Sequence, residues 1–259
     1  MSYKYKIGIV AAMEREVRPL VRNWHSIEHE HLGRTYRFFE NGAAVVVCAG
    51  IGPEAARRAT EALIELFRPQ EILSVGFAGA LNSDLKVGDV FTPSRMVDVK
   101  DGSRVETGIG CGVLLSLGLV ADPEQKARLA EAYGAQAVDM EAAAVARGAQ
   151  AHGIGFSAIK AISDECSFAM PPVERFVASD GQFRTAAFVG FVALRPWLWR
   201  NVVRLSGNNR RASGALCREL SRYCHEQLDQ EMKGETAKSQ ETKVKESQSE
   251  LFSSLKVHN

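Results

Sequence analysis

The sequence has 259 residues, of which 46% are hydrophobic and 24% charged, and its formal net charge is +1. This length and composition predict a globular chain that buries one substantial core in one large domain. The near-neutral charge excludes a general attraction to nucleic acid, so we expect no nucleic-acid partner. The five cysteines are scattered and lack C-x-x-C spacing, which excludes a disulfide framework and a zinc site of that type.

The first half of the chain alternates short apolar runs with helical patterns. The strand pattern KIGIVAA precedes a helix over Glu14–Val21, and Asn41-Gly42 joins a hairpin over residues 35–40 and 43–49. Pro53 begins a helix that runs to residue 66, and EILSVGFAGA follows as a buried strand. The N-terminal stretch lacks the charged region, long apolar core and cleavage site of a signal peptide, so we expect a cytoplasmic protein.

The second half continues this alternation as far as a change in composition. Residues 89–121 are typical of strands and turns, DPEQKARLAEA begins a helix capped by Asp122, and GFSAIKAISD is the last strong strand. Residues 183–224 form a basic amphipathic helical region, with breaks at Pro196 and near Gly207. Residues 225–259 are rich in Glu, Lys, Gln and Ser, and we expect a disordered tail there.

This order of elements predicts the fold class. Strands that alternate with helices favour an α/β domain with a central mixed β-sheet flanked by helices. We place this single domain at residues 1–224.

Acidic residues follow three of the predicted strands. AAMEREV contains Glu14 and Glu16, AVDMEAA contains Asp139 and Glu141, and AISDECS contains Asp164. One acid at a helix start is usually a cap that complements the helix dipole. Because open α/β sheets bind ligands beyond the carboxyl ends of their strands, three such acids together predict one pocket.

Six motifs in this order resemble a known superfamily: IGIVAAMEREV, GIGPEAA, SVGFAGAL, LKVGDV, AVDMEAAAVA and AIKAISD. They are similar to the nucleoside phosphorylases and nucleosidases, specifically the methylthioadenosine/S-adenosylhomocysteine nucleosidases, over roughly residues 6 to 168. The resemblance implies a nucleoside phosphorylase-like fold, cleavage of an N-glycosidic bond, no metal or organic cofactor, and a homodimer.

The resemblance also implies roles for individual residues. Asp164 would deliver or stabilise a proton at purine N7, and Glu16 would orient and deprotonate the attacking water. Glu141 would bind the ribose hydroxyls, while Met140 would pack on the ribose. The remaining expected substrate-binding residues line the pocket wall and the exit of a strand: Ile51, Gly52, Phe77 and Ala78.

The first loop bears on the type of reaction. Phosphorylases of the superfamily carry arginine and glycine there for an anion, whereas this chain has AAMERE with Glu16. The resemblance therefore favours hydrolysis, and phosphorolysis stays open. The chain departs from the nucleosidase pattern at Phe77, where serine is usual, at Lys160, where arginine is usual, and in a shorter stretch over residues 89–138.

The region from MPPVERF to CREL resembles a narrower group, the hopanoid-associated nucleosidases, which remove adenine from adenosylhopane to leave ribosylhopane. This resemblance makes adenosylhopane the leading substrate, with a place at the inner face of the membrane. Tryptophan and arginine beside an apolar face are typical of interfacial helices. The residues expected to contact lipid are Trp197, Trp199, Arg195, Arg200 and Arg204, and packing of this helix on the sheet is the alternative.

Three other functions stay open. They are hydrolysis of methylthioadenosine or S-adenosylhomocysteine, purine nucleoside phosphorolysis, and non-catalytic binding of a nucleoside or lipid. His25, His29 and His31 lie in a polar stretch without acids at helical spacing, so we interpret them as surface residues and predict no metal site.

Overall fold

The computed structural model describes residues 5 to 255 except 43 and 179, and side chains as far as Gln227. The chain divides into two units, Met1–Leu220 and Ser221–Asn259. The first unit contains every strand among the described residues and all of the candidate site residues.

Across the described residues, eleven strands form one mixed sheet. In chain order the strands are β1 Ile7–Ala11, β2 His25–His31, β3 Arg34–Asn41, β4 Ala44–Cys48, β5 Glu71–Ala80, β6 Val90–Phe91, β7 Arg95–Asp98, β8 Arg104–Glu106, β9 Val113–Ser116, β10 Ala137–Asp139 and β11 Gly155–Asp164. The spatial order is β2-β3-β4-β1-β5-β10-β9-β7-β8, with β11 paired to β5 and β6. The predicted α/β domain with a central mixed sheet is confirmed.

Helices cover this sheet and follow its strands. They are α1 Glu14–Val21, α2 Pro53–Phe67, α3 Pro123–Tyr133, α4 Ala142–Ala151, α5 Thr185–Ala193 and α6 Pro196–Leu255, with a 3-10 turn at Val173–Phe176. Apolar residues of α2 and α4 pack on the sheet in a core that includes Leu63, Val145 and Phe38. Asp122 caps α3 as predicted, because its side chain accepts a hydrogen bond from the Gln125 amide.

β5 is the long strand along which the other central strands meet. β11 pairs with it in parallel from Glu71 to Gly79, which occupies one edge. β1 pairs in parallel as far as Val75, and β10 pairs antiparallel at Gly79 and Ala80, so both lie on the other edge. A gap therefore opens between the ends of β1 and β10, beside Gly76, Phe77 and Ala78.

The direction of β10 determines how the acids meet. The three acids were expected to converge because each follows the end of a strand. β10 in fact runs antiparallel to β5. Glu141 therefore approaches the gap from the side opposite to Glu16.

The strand β2 was not predicted. Its sequence HSIEHEH is polar, but it pairs antiparallel with β3 along its whole length. His25 and His29 are exposed, as expected for surface residues, whereas His31 is half-buried. Among the described residues, no group of three histidine, cysteine or carboxylate side chains is placed to hold a metal ion.

The C-terminal region differs from its prediction in two respects. The break near Pro196 separates α5 from α6, but α6 passes through Gly207 without interruption. α6 is also helical as far as Leu255, and the Glu, Lys, Gln and Ala of that stretch are good helix formers. Side chains beyond Gln227 and residues 256–259 lie outside the described residues, so the predicted disordered tail stays a prediction. None of the described helices is both long enough and apolar enough to span a bilayer.

Candidate active site

Glu16 occupies the end of the gap nearest β1. It lies in the first turn of α1, and its Oε2 atom accepts a hydrogen bond of 3.3 Å from the Met13 amide. The carboxylate packs against Gly76, where a Cβ atom would come within 2.9 Å of Oε2. Burial raises the pKa of Glu16 to about 7, although the Met13 hydrogen bond and the Lys160 charge oppose this rise. Glu16 is therefore suited to accept a proton near neutral pH.

The backbone around Glu16 is held by α6. The Ser213 hydroxyl lies 2.9 Å from the Glu16 carbonyl oxygen and 3.2 Å from that of Arg15, within hydrogen-bonding range of both. Ser213 is buried together with Ala212, Leu216 and other residues of the same stretch. This part of α6 packs inside the protein, which agrees with the alternative interpretation of the region rather than with lipid contact there.

Glu141 lies across the gap from Glu16, immediately before α4. Its Oε1 atom accepts a hydrogen bond of 2.7 Å from the Gly52 amide, so Gly52 orients the carboxylate. Burial and the nearby Asp139 charge raise the pKa of Glu141 to about 8. A raised pKa favours the protonated form of this group, which can both donate and accept hydrogen bonds.

Asp139 anchors this part of the site through a buried network. Its carboxylate forms an ion pair of 2.8 Å with the Lys160 ammonium group, and both side chains are almost fully buried. It also accepts hydrogen bonds from the Ser116 hydroxyl at 2.6 Å and the Ala142 amide at 2.9 Å. Lys160 donates in addition to the Ser74 hydroxyl at 3.0 Å. Asp139 thus has the ordinary structural role of an acid near a helix start, because it binds the Ala142 amide at the beginning of α4.

Asp164 ends β11 at an irregularity in the sheet. The pairing of β11 with β5 shifts register between Ile162 and Asp164. Such a bulge redirects side chains, and here both Ser163 and Asp164 line the pocket. The Asp164 carboxylate accepts a hydrogen bond of 2.7 Å from the Ser163 hydroxyl and forms a buried ion pair with Lys126 of α3. The sequence analysis did not single out Lys126.

These groups surround one pocket of about 170 Å³. Seven of the eight predicted site residues line it, and the eighth, Gly52, supports Glu141 from behind. The seven are Glu16, Ile51, Phe77, Ala78, Met140, Glu141 and Asp164. The structure thus brings together all the residues that the motifs predicted, and their roles remain to be tested.

Part of the pocket wall is apolar, and we refer to it as the apolar end. Its side chains come mainly from the segment after β11: Met170, Val173, Val177, Phe183 and Leu205. They belong to the region from MPPVERF to CREL, but the sequence analysis assigned none of them an individual role in the pocket. A ligand that fills the pocket contacts both carboxylates and hydrocarbon.

Comparison with known proteins agrees with this geometry. The model of the phosphorylase superfamily matches residues 6–112 and 101–189. The chain is 26% identical over 196 residues to the aminodeoxyfutalosine nucleosidase of Campylobacter jejuni, covering 62% of this chain and 86% of that protein. It is 31% identical over 200 residues to the 5′-methylthioadenosine/S-adenosylhomocysteine nucleosidase of Actinobacillus succinogenes, covering 61% and 85%.

Solved structures show the same fold. A 5′-methylthioadenosine/S-adenosylhomocysteine nucleosidase from Helicobacter pylori superposes with a TM-score of 0.64 at 20% identity, covering 87% of this chain and 100% of that one. The S-adenosylhomocysteine nucleosidase of Streptococcus pyogenes superposes with a TM-score of 0.60 at 23% identity, covering 84% and 96%.

The match to the family model and to these relatives identifies an enzyme that acts on N-glycosidic bonds. The chain belongs to the phosphorylase superfamily. The expectation that it hydrolyses such bonds is confirmed at the level of enzyme class, because the curated relatives reported above are nucleosidases.

The contact between Gly76 and Glu16 yields a testable prediction. Gly76→Ala adds a methyl group 2.9 Å from the Glu16 carboxylate, at a φ of 142° that disfavours side chains. Displacement of this carboxylate should lower kcat/KM for purine release about 100-fold. Gly207→Ala is the control, since nothing lies within 4 Å of its added atom. Equal kcat/KM in the two variants would contradict the placement of Glu16.

Proposed function

We propose that the protein hydrolyses the N-glycosidic bond of an adenine nucleoside and that its substrate is adenosylhopane, which yields ribosylhopane and adenine. The observation that carries the proposal is the convergence of Glu16, Glu141 and Asp164 on one pocket whose wall is also lined by apolar side chains. A nucleoside that bears a hydrocarbon group at its 5′ carbon matches both kinds of lining.

The carboxylates divide the reaction between them. Glu16, whose pKa is raised to about 7, takes a proton from water that attacks the anomeric carbon of the ribose. Glu141 binds the ribose hydroxyls, with Met140 against the ribose. Asp164 assists the departure of the purine. The purine must gain a proton at N7 as the ribose becomes oxocarbenium-like. Two acidic groups with separate roles parallel the general chemistry of glycoside hydrolysis.

The first loop supports hydrolysis over phosphorolysis. Its arginine, Arg15, lines the pocket and lies over the ring of Phe183 at 5.7 Å from the centroid, while Glu16 faces the gap. A buried carboxylate at this position suits activation of water and repels phosphate. Non-catalytic binding is disfavoured by the same feature, since binding alone needs no buried base.

The surface beside the apolar end supports contact with a membrane. α5, TAAFVGFVA, has no charged residue. Several large apolar side chains on α5, the following turn and the start of α6 are exposed: Val189, Leu194, Trp197, Trp199 and Val203. Trp197 is 72% exposed and Leu194 79% exposed. Large exposed apolar patches mark interaction surfaces.

Arginines border this surface. Arg200 and Arg204 are exposed on α6, and the Arg195 guanidinium group stacks on Phe191 at 3.7 Å from the ring centroid. Phe183 and Leu205, which belong to the pocket, flank the same surface along the chain. We infer that this face adsorbs to anionic lipid, so that a membrane-resident nucleoside enters the pocket at its apolar end. We also propose that the protein forms a homodimer, as the family resemblance implies.

Hydrolysis of methylthioadenosine or S-adenosylhomocysteine is the second candidate. It is favoured by the 31% identity to the Actinobacillus succinogenes nucleosidase. The carboxylate chemistry is the same for both candidates, and they differ in what fills the apolar end of the pocket.

Adenine release from three substrates, each with and without phosphate, tests the proposal. We expect phosphate-independent release from adenosylhopane in detergent and at least tenfold slower release from methylthioadenosine and S-adenosylhomocysteine. Asp164→Asn should lower release about 10² to 10⁴-fold. Release from the small nucleosides alone would establish the second candidate, a requirement for phosphate would overturn hydrolysis, and no release from any substrate would favour a binding protein.

The pH dependence of kcat/KM tests the role of Glu16. A base must be ionised to act, and the pKa of Glu16 is about 7. The rate should therefore fall about tenfold per pH unit as the pH drops below 7, and level off above it. Glu16→Gln should show a low rate without this limb. A flat profile for the wild type between pH 5.5 and 8 would show that Glu16 is not the base.

Sedimentation with lipid vesicles tests the membrane surface. Wild-type protein should bind vesicles that contain anionic lipid, and the double variant Trp197→Gln/Val203→Asn should bind about tenfold more weakly, because both side chains are exposed. Leu32→Asn is the matched control, since Leu32 is 86% exposed on the β2–β3 turn. If the control weakens binding as much as the double variant, the assigned surface is wrong.

A further inference from the structure

Lys126 is the single fully buried residue of α3. Its exposed fraction is 2%, while the other side chains of this helix are exposed or half-buried. Burial of an ammonium group costs several kcal/mol unless the charge is paired and hydrogen-bonded. α3 therefore contributes a charged group to the interior where a helix normally contributes apolar side chains.

Lys126 lines the pocket beside Asp164. It pairs with Oδ2 of Asp164 and donates a hydrogen bond of 3.1 Å to the Glu165 carbonyl oxygen. These two acceptors use two of its three N–H groups. Because Lys126 also lines the pocket, the third N–H is available to a ligand.

Gly79 leaves room for the Lys126–Asp164 ion pair because it has no side chain. At Gly79 a Cβ atom would lie 2.8 Å from Oδ2 of Asp164 and 3.2 Å from Nζ of Lys126. The other oxygen of Asp164 accepts a hydrogen bond from the Ser163 hydroxyl at 2.7 Å. Both oxygens of Asp164 thus already accept hydrogen bonds from protein donors.

Purine N7 needs a hydrogen-bond donor from the protein. N7 accepts hydrogen bonds, and an ionised carboxylate also only accepts them. The ion pair as a whole therefore lacks a donor for N7 unless Lys126 provides it. Asp164 and the Glu165 carbonyl hold the ammonium group in place.

We propose that Lys126 donates a hydrogen bond, and then a proton, to N7 of the departing purine, with Asp164 as its positioning partner. This inference rests on the proposed nucleosidase function. As the C1′–N9 bond breaks, its electron pair moves into the purine, and a proton moves from Nζ to N7, so the base leaves neutral. Glu16 takes the proton of the attacking water and then releases it to solvent, and solvent returns a proton to Lys126, which restores both groups.

The test compares two free bases that differ at one atom, adenine and 7-deazaadenine, which has carbon in place of N7. Calorimetric titration should show that the wild type binds adenine about 10- to 100-fold more tightly, the range expected for one charge-assisted hydrogen bond. Lys126→Met should bind the two bases with equal affinity. Lys126→Arg, which keeps a charged donor, should retain part of the preference.

Arg128→Met is the matched control, because Arg128 is exposed on the same helix and pairs with Glu124 at the surface. It should keep the full preference for adenine. A structural role for Lys126 would weaken both bases by the same factor and leave their ratio unchanged, and that outcome would overturn the proposal.

A second measurement does not depend on the folding of Lys126→Met. In protein labelled with ¹⁵N-lysine, the Nζ resonance of Lys126 is identified by its absence from Lys126→Arg. It should shift on addition of adenine and stay unchanged with 7-deazaadenine. An identical response to the two bases overturns the role of Lys126 alone, whereas failure of adenine to bind at all overturns the proposed function with it.

Discussion

The ion pair between Lys160 and Asp139 determines where the proposed catalytic groups lie. It joins β11 to β10, and through Ser116 and the Ala142 amide it also joins β9 and the start of α4. Because Asp139 is two residues before Glu141, the pair fixes the approach of Glu141 to the pocket. Removal of one partner from such a buried pair leaves an uncompensated charge and is strongly destabilising.

The same pair affects the pKa values of the two buried acids in the site. The Asp139 carboxylate contributes to the raised pKa of Glu141, after burial. The Lys160 ammonium group acts in the opposite direction on Glu141 and on Glu16. One buried cation thus lowers the pKa of two buried acids, and at Glu16 it adds to the larger lowering effect of the Met13 hydrogen bond.

Local patterns in the sequence were sufficient for most elements and for the main acids. Apolar runs such as GFSAIKAISD and the Asn41-Gly42 turn carry their signal within a few residues, and β11 has the predicted bounds. The direction of β10 could not be predicted, because AVD has three residues and pairs with strands far away in sequence. β2 was missed because an edge strand with polar side chains has no apolar alternation. Lys126 was missed because its partner lies 38 residues away and nothing in the local pattern of its helix marks a lysine for burial.

α6 connects the surface to the catalytic base. Its first turns carry the exposed tryptophans, and further along the same helix Ser213 contacts the carbonyl oxygens of Arg15 and Glu16. In the proposed membrane-bound form, the helix that contacts lipid is therefore the same helix that contacts those carbonyls. Catalysis by a lipid-adsorbed enzyme of this design would follow the two-dimensional density of substrate in the bilayer, and dilution of the substrate with inert lipid would slow turnover even at constant bulk concentration.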